Sequence, residues 1–492
     1  MLEDATPKPG IYDLSTKGGK EKKNTANCYI VDSKGTYQFP LVYGNAITND
    51  IDYSDSSYTY KGAGTGDNYL KTFRNYKDRA IRSAYILDDI YDSDVPDKLS
   101  ASLVWQDEPD LISKTSIKYI PEAYEGKGGI QFTVGAIKEG NAVIALKDPK
   151  DTIIWSWHIW VTALDLTKTI ILTNASGQNF EIMPVNLGWC SGDIPVRYYD
   201  RHKCEVRITQ IISDDGQEGI SQTVTIVQEP HIALPKGNSP YYQWGRKDPF
   251  FAGGNADKTT KTWYDTTSSP KTSAPAMMYT ALDDSDRVKT NKAIARLIQN
   301  PDKWQNGPRV SINSDAYRPD DQQFFNLWDN SCWDDNDVVV KTIYDPCPAG
   351  FHVSSIYTFS GFTYDGGQQG SNWNPNADIS STAYAATEEN MMPKDGDSDT
   401  RYEDYRKGIF EFYTDRTKLI SIGFPQTGYR DWDANAVLLK YTQGDGYLWF
   451  AQAVPWDWGN SYTAYNFEYN RATVPHIWPV SNFYVTDGFA VR

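Results

Sequence analysis

Apolar residues recur at every second position in many short segments of the chain, which predicts a protein built mainly of β-strands. In IQFTV (130–134) the three apolar residues fall on one face and the two polar residues on the other, as in a half-buried strand. TIIWSWHIWVT (152–162) is apolar on both faces and therefore predicts a strand in the middle of a packed β-structure. Further strands are predicted at 28–31, 37–44, 101–105 and 142–146.

The second half of the chain continues this pattern of short strands separated by turns. CEVRI (204–208) alternates apolar and charged residues, and TVTIV (223–227) follows across the turn SDDGQEG (213–219), which predicts a β-hairpin. NKAIARLIQN (291–300) has apolar residues at helical spacing before Pro301, which predicts a helix. The C-terminal part predicts strands at 410–413, 419–424, 437–441, 447–454, 462–469 and 482–492.

These patterns predict a mainly β fold with minor α content, divided into two domains. Residues 1–23 are polar and include the basic run KGGKEKK (17–23), so we expect a flexible leader there. Residues 24–165 are predicted to form a β-sandwich, and residues 166–492 form the second domain. If the 204–227 hairpin belongs to the sandwich instead, the boundary moves to about residue 235.

Charge and hydropathy exclude several classes of partner. The chain has 492 residues, of which 48 are basic and 64 acidic, and its formal net charge is −16. A surface this acidic repels phosphate groups, so we expect neither nucleic acid nor an anionic membrane as a partner. No segment approaches the roughly 18 apolar residues of a transmembrane helix. The opening MLEDATPKPG also lacks the apolar region of a signal peptide.

Motifs of common enzyme classes are absent from the sequence. It contains no HExxH zinc motif, no Walker A loop and no GxSxG nucleophile elbow. The five histidines are dispersed, and His158, on an apolar strand, is interpreted as a core histidine with a hydrogen-bond partner. We therefore predict a protein that is not an enzyme. An exported glycan-processing enzyme with paired carboxylates is the alternative.

Five cysteines leave two interpretations open. They lie at 28, 190, 204, 332 and 347 and form no CxxC pair, so a structural zinc site is not predicted. Either Cys190 pairs with Cys204 and Cys332 with Cys347 in local disulfides, or all five are buried thiols that pack as small hydrophobic residues.

Acidic runs raise the question of calcium. Asp395, Asp397 and Asp399 resemble the first half of an EF-hand loop, but the expected glycine and glutamate are missing from it. The runs 333–337 and 283–286 are weaker candidates. Solvated acidic loops are the favoured interpretation, so no cofactor is predicted, and calcium is kept as the alternative.

A run of aromatic residues near the C-terminus is the main candidate for a binding site. AVPWDWGNSYTAY (453–465) places tryptophans and tyrosines between two predicted strands. Exposed aromatic rings stack on sugar rings, and neighbouring polar groups can bind hydroxyls. The alternative is that these rings pack the loop onto the domain. GYRDWDAN (428–435) is predicted to border the same surface, so the candidate ligand-binding residues are Trp456, Asp457, Trp458, Asn460, Tyr462, Tyr465, Arg430 and Trp432.

Several phrases resemble the "major paralogous domain" (FISUMP) of bacterial surface lipoproteins. YDPCPAGFHV (344–353) is similar to the family phrase DPCPxGwrVP, and YYQWGRKDPF (241–250) is similar to one of its opening strands. The ending YVTDGFAVR (484–492) resembles the terminal strand of the family. The resemblance covers about 166–492 and implies a C-type-lectin-like α+β domain, in which short helices and a twisted antiparallel sheet support long loops.

The N-terminal part resembles a second group of surface proteins. TANCYIVDSKGTYQFPLVYGNA (25–46) and IIWSWHIWVT (153–162) are similar to the leading domain of fimbrillin-like proteins. Together the resemblances imply an extracellular protein of the bacterial cell surface, lipid-anchored in the outer membrane or built into a fimbria. They imply no set of catalytic residues.

The resulting hypothesis is a cell-surface adhesin, as a fimbrial tip or accessory subunit. Its C-terminal loops would bind a glycan or a protein ligand on a surface. Its sandwich would join other fimbrial subunits by strand addition. Besides the enzyme named above, the alternative is a structural surface protein without a small ligand, in which the aromatic residues form core.

Overall fold

The structure is a computed structural model of the chain. It describes residues 2, 5–52, 57–58, 73–90, 98–135, 138–192, 196–214, 216–254, 259–279, 291–306, 327–330, 338–362, 409–415, 420–433, 436–441, 445–453, 463–470, 476–484 and 487–492. Within these ranges the regular structure is mostly β-strand, accompanied by three short α-helices. The predicted fold class, mainly β with minor α, is confirmed.

Two four-stranded sheets form the N-terminal part of the protein. One sheet consists, in spatial order, of β1 (Ile11–Asp13), β3 (Gly35–Pro40), β8 (Gly129–Val134) and β7 (Lys118–Ile120). The other consists of β2 (Cys28–Val31), β10 (Ile153–Val161), β9 (Gly140–Lys147) and β6 (Ser100–Gln106). Smaller elements in this part are β4 (Ile47–Thr48), β5 (Ile51–Asp52), α1 (Ile86–Asp89) and α2 (Ala123–Gly126).

One hydrophobic core lies between these two sheets. Phe39 and Phe132 from the first sheet and Ile144 and Trp157 from the second belong to the same buried cluster. The alternation predicted for 130–134 is confirmed, because its apolar side chains are buried and its polar ones are partly exposed. Burial of such aromatic and branched side chains is the main stabilising contribution to a sheet pair of this kind.

The N-terminal segment differs from the predicted flexible leader. Residues 11–13 form β1, which pairs in parallel with residues 36–38 of β3. The basic run that follows is ordered by local turns, because the backbone N–H groups of Lys20 and Glu21 both donate to the Thr16 carbonyl oxygen at 3.0 Å. The polar composition of the segment predicts exposure, but it does not exclude an edge strand.

Strand β10 is buried on both of its faces. Trp155, Trp157 and Ile159 are fully buried toward the core between the two sheets. Trp160, on the other face, is also fully buried and belongs to a second cluster built mainly from residues beyond 160. The central position predicted for this strand is confirmed, because the second half of the chain covers the outer side of its sheet.

In the second half of the chain, the described residues form small, mostly antiparallel sheets and one α-helix. A four-stranded sheet contains β17 (Tyr242–Gln243), β27 (Gly488–Phe489), β22 (Tyr429–Asp433) and β23 (Ala436–Lys440), and a three-stranded sheet contains β24 (Asp445–Ala453), β25 (Thr463–Asn470) and β26 (His476–Tyr484). Strand pairs are β11 (Ile170–Thr173) with β12 (Asn179–Ile182), β13 (Arg197–Tyr199) with β16 (His231–Ala233), β14 (His202–Ile211) with β15 (Glu218–Gln228), the parallel pair β18 (Ala276–Tyr279) with β19 (Lys303–Asn306), and β20 (Ile409–Tyr413) with β21 (Ser421–Pro425).

The helix predicted at 291–300 is confirmed as α3 (Asn291–Gln299). Its buried residues Ile294 and Ile298 join the core of the N-terminal sheets. The hydrophobic core therefore crosses the predicted domain boundary at 165.

The phrase YDPCPAGFHV (344–353) lies at the junction between the two parts of the chain. The Asp345 carboxylate accepts hydrogen bonds from the backbone N–H groups of Cys347 (2.7 Å) and Val353 (2.9 Å). The Lys341 ammonium donates to three backbone carbonyls of the same phrase, at distances of 2.6–2.9 Å. Buried polar groups are satisfied here by one another, so these residues have a structural role.

Candidate functional site

A β-ribbon formed by residues 197–233 carries most of the exposed large hydrophobic side chains. Nine of the sixteen such residues within the described ranges lie in it. Strands β13 and β16 pair at its base, and β14 and β15 extend from there as a hairpin with the register His202↔Gln228 to Ile211↔Glu218. The hairpin predicted at 204–227 is confirmed, and it is exposed along nearly its whole length.

The two faces of the hairpin differ sharply in polarity. Opposite pairs such as Cys204↔Ile226 and Val206↔Val224 place apolar side chains on one face. We call this the apolar face: Cys204, Val206, Ile208, Gln222, Val224 and Ile226, extended by Gln210 and Ile220 at the β-bulge where the register shifts between Thr209 and Ile211. The other face, the polar face, consists of Lys203, Glu205, Arg207, Thr209, Ile211, Glu218, Ser221, Thr223, Thr225 and Val227, of which Ile211 and Val227 are its only apolar members.

The apolar face is open to solvent. Val206 is 40%, Ile208 61%, Ile220 81%, Val224 42% and Ile226 57% exposed. Alternation of this kind normally places the apolar side chains against a core. Here the alternation is present but nothing in the described part of the chain covers the face, which is typical of an interaction surface.

A backbone hydrogen bond closes the turn of the ribbon, and an ion pair lies on its polar face. At the tip, the Gly216 N–H donates to the Ser213 carbonyl oxygen at 3.0 Å, and Gly216 has a φ of 84° that glycine adopts without strain. On the polar face Arg207 forms an ion pair with Glu218 at 3.5 Å. These charges are matched within the ribbon, so the feature that lacks a partner is the apolar face.

The base anchors the ribbon to the body of the protein. Ala233 and Leu234 are buried, and Leu234 belongs to the same cluster as Met183 and Trp189. The base is further closed by the ion pair between Arg201 and Glu229 at 3.2 Å. An isolated two-stranded hairpin is only marginally stable in water, so this anchor holds the ribbon in place.

A buried charged triangle lies between β10 and the second half of the chain. The Lys247 ammonium donates to the Ser156 hydroxyl (2.5 Å) and to the Asp248 carboxylate (2.8 Å), and that hydroxyl donates to Asp248 at 2.7 Å. Burial lowers the pKa of Lys247 to about 8, although Asp248 raises it. A serine beside a lysine is also a known nucleophile and base arrangement.

This triangle is closed to substrates. Ser156 is 0% exposed, and Lys247 and Asp248 are 3% and 2% exposed. The cavity beside it has a volume of about 20 Å³ and is lined in part by Leu297 and Tyr344, which leaves room for about one water molecule. The arrangement therefore acts as a buried ion pair that joins the two parts of the chain.

A second buried network joins β9 and β10 to the residues that follow them. The Asn141 amide donates to the Asp107 carboxylate at 3.0 Å, and its oxygen lies 2.9 Å from His158 Nε2. That oxygen can only accept, so His158 carries its proton on Nε2 and its Nδ1 accepts from the Tyr242 hydroxyl at 3.3 Å. Burial lowers the pKa of His158 to about 3. The interpretation of His158 as a core histidine is confirmed.

The predicted ligand-binding residues are placed only in part. Trp456, Asp457, Trp458, Asn460 and Tyr462 lie outside the described residues, as does the side chain of Trp432, whose backbone is in β22. Tyr465 is 8% exposed and packs in a core cluster with Phe467.

Arg430 is buried, not exposed as its predicted ligand-binding role would require. This side chain is 0% exposed, and its guanidinium donates to the Phe251 carbonyl oxygen at 2.6 Å. It also lies over the ring of Tyr241 at 5.1 Å. An arginine in a turn-rich segment predicts exposure, but here it satisfies buried carbonyl groups from a distant loop.

Of the two interpretations left open for the cysteines, the one that pairs Cys190 with Cys204 is not found in the structure. Both thiols are free, and Cys190 is buried whereas Cys204 is exposed on the ribbon. Cys28 and Cys347 are buried free thiols, and burial raises the pKa of each. Cys332, the predicted partner of Cys347, lies outside the described residues. Buried thiols are therefore found at three of the five positions.

The calcium alternative is not located. The acidic runs at 283–286, 333–337 and 395–399 lie outside the described residues. Elsewhere, in the ranges that the structure describes, no three His, Cys, Asp or Glu side chains converge in a way that could hold a metal ion. None of the helices in those ranges has the length and apolarity needed to cross a bilayer.

Comparison with known proteins returns no match for the chain among protein-family models, curated proteins or solved structures. The alternating sequence of the ribbon locates its two strands, but no sequence signal distinguishes an apolar face that meets a core from one that meets another molecule.

Proposed function

We propose that this protein is a bacterial cell-surface adhesin that contacts protein partners through the apolar face of its ribbon. The observation that carries the proposal is the exposure of that face on an anchored arm whose charges are already paired. Exposed contiguous apolar surface on a folded protein is typical of sites where another macromolecule binds. The resemblance of 344–353 and 484–492 to surface lipoproteins supports the cellular location.

A binding role agrees with the chemistry of the described residues. Among the described residues, Ser156, Lys247 and His158 are enclosed in the triangle and network above, where their polar groups are hydrogen-bonded. The ribbon, in contrast, offers a broad surface of aliphatic side chains. Such surfaces give affinity by burying apolar area and have no group that activates a substrate.

The test displays the full chain on the surface of a non-adherent bacterium and measures cell attachment and clumping. The variant Ile208→Lys/Ile226→Lys places two charges on the apolar face. Its matched control, Thr209→Lys/Thr223→Lys, places them on the polar face of the same strands. We expect adhesion by the parent and the control and its loss in the first variant. Absence of adhesion by the parent, or equal adhesion by all three, would overturn the proposal.

A further inference from the structure

We propose that the apolar face of the ribbon is covered by the same face of a second copy of this chain, with the two ribbons antiparallel about a two-fold axis. This inference rests on the proposed function and names the partner of that site. It makes the protein a reversible homodimer joined through its arms.

The composition of the face defines what can cover it. Six of its eight residues are Cys, Val or Ile, and the remaining two are Gln210 and Gln222. It contains no charge, so a charged peptide, a phosphate group or an acidic surface has nothing to pair with there. A partner has to be flat and apolar, and the face itself has both properties, which makes it self-complementary.

The size of the face fits an arm-to-arm dimer. Its five Val and Ile side chains are 40–81% exposed and present on the order of 500 Å², which is as large as the largest apolar patch on a typical monomer. Two such faces packed together bury on the order of 1,000 Å², the lower limit for a specific protein interface. The area therefore predicts a weak, concentration-dependent dimer.

Charge selects the antiparallel arrangement. The tip carries the exposed Asp214 beside the Arg207–Glu218 ion pair, whereas at the base Arg201 and Lys203 are paired with Glu229 and Glu205. Parallel ribbons would bring two acidic tips together in a chain whose net charge is already −16. Antiparallel ribbons keep the two tips apart and place each beside the base of the other copy, where the charges are balanced, which is the electrostatically favoured choice.

The dimer is measured on the purified full chain by sedimentation velocity over a wide range of concentrations. We expect the parent and Thr209→Lys/Thr223→Lys to shift from monomer to dimer as concentration rises, and Ile208→Lys/Ile226→Lys to stay monomeric. Circular dichroism and thermal melting check that each variant keeps the folded body. A parent that stays monomeric throughout, or a dimer that the apolar-face charges do not weaken, overturns the inference.

Cysteine cross-linking tests the orientation. In antiparallel ribbons Cys204 of one copy lies near position 210 of the other. Within one chain these positions are six residues apart, or roughly 20 Å along a strand. Both proteins in this test carry Cys332→Ser. Mild oxidation should convert the variant that also carries Gln210→Cys into covalent dimers much faster than the one that does not. If the Cys332→Ser protein without the Gln210→Cys change cross-links as fast through Cys204 as the protein that carries it, the ribbons are parallel and the stated arrangement is overturned.

The two proposals fail differently. If displayed cells adhere through the apolar face but the purified protein remains monomeric, the partner is a different protein, so only the homodimer is overturned. If the purified protein dimerises through its ribbon but cells do not adhere, the adhesin function is overturned and the dimer stands.

Discussion

The side-chain amide of Asn27 donates a hydrogen bond of 2.8 Å to the carbonyl oxygen of Asp345, 318 residues further along the chain. The same amide donates to the Ile343 carbonyl at 2.6 Å, and its oxygen accepts from the Trp155 indole N–H at 3.1 Å. One buried side chain thus joins an N-terminal strand, the central strand β10 and the phrase that resembles surface lipoproteins.

Replacing Asn27 should therefore destabilise the whole protein. The change Asn27→Leu leaves two buried carbonyls and one buried N–H without this partner, and each such group costs about 1–3 kcal/mol. We expect the free energy of unfolding, measured by urea denaturation, to fall by about 3 kcal/mol or more. Asn179→Leu, at an exposed position of β12, is the control and should change it by less than about 1 kcal/mol. Equal effects would contradict the role of Asn27.

Breaking the buried ion pair should cost far more than breaking an exposed one. Asp248→Ala leaves the Lys247 ammonium buried without its carboxylate, and loss of one partner of a buried pair costs about 3–5 kcal/mol. Glu205→Ala removes the partner of Lys203 on the exposed ribbon and should cost less than about 1 kcal/mol. Urea denaturation of both variants at neutral pH checks the difference. A small effect at Asp248 would show that Lys247 reaches water.

Acid should destabilise the protein through His158. Its pKa is about 3 in the folded protein, lowered by burial from an ordinary value of 6.5. Between these values the unfolded chain binds a proton that the folded protein does not, so stability present above pH 6.5 is lost as the pH falls toward 3. The loss is about 1.4 kcal/mol per pH unit.

The measurement compares unfolding free energies of the parent and His158→Gln from pH 7 down to pH 4.5. We expect the advantage of the parent over the variant to shrink steadily below about pH 6. His202→Gln, on the exposed ribbon, is the control and should keep the pH profile of the parent. Parallel profiles for the parent and His158→Gln would contradict the buried neutral imidazole.

Glycan binding by the 453–465 segment stays a prediction and calls for a direct test. A glycan array probed with the full chain, with and without calcium, should show binding that Trp456→Ala/Trp458→Ala abolishes. Tyr198→Ala removes a half-exposed ring from the ribbon and should leave binding unchanged. If the parent binds no glycan and the double variant unfolds more easily, these tryptophans are core residues.

Sequence patterning predicts the strands of this fold better than it predicts what covers them. Alternation locates the half-buried strand at 130–134 and both strands of the ribbon. The same period describes a face against a core and a face against solvent, so the exposure of Ile208 and Ile226 could not be predicted. At Arg430 the error is reversed: its charge predicts an exposed side chain, because arginine is rarely buried, but the residue is buried. Only the fold brings the carbonyl of Phe251 close enough to pair with it.

Because β10 is buried on both faces, packing alone is expected to hold the two halves of the fold together, even without an unbroken chain between them. Trp157 belongs to a cluster built largely from residues that precede position 160, and Trp160 to one built largely from residues that follow it. A protease that cut the exposed ribbon tip once would separate the chain into two polypeptides without separating the two halves of the fold. The nicked protein would remain a single particle, and only denaturation would release the fragments.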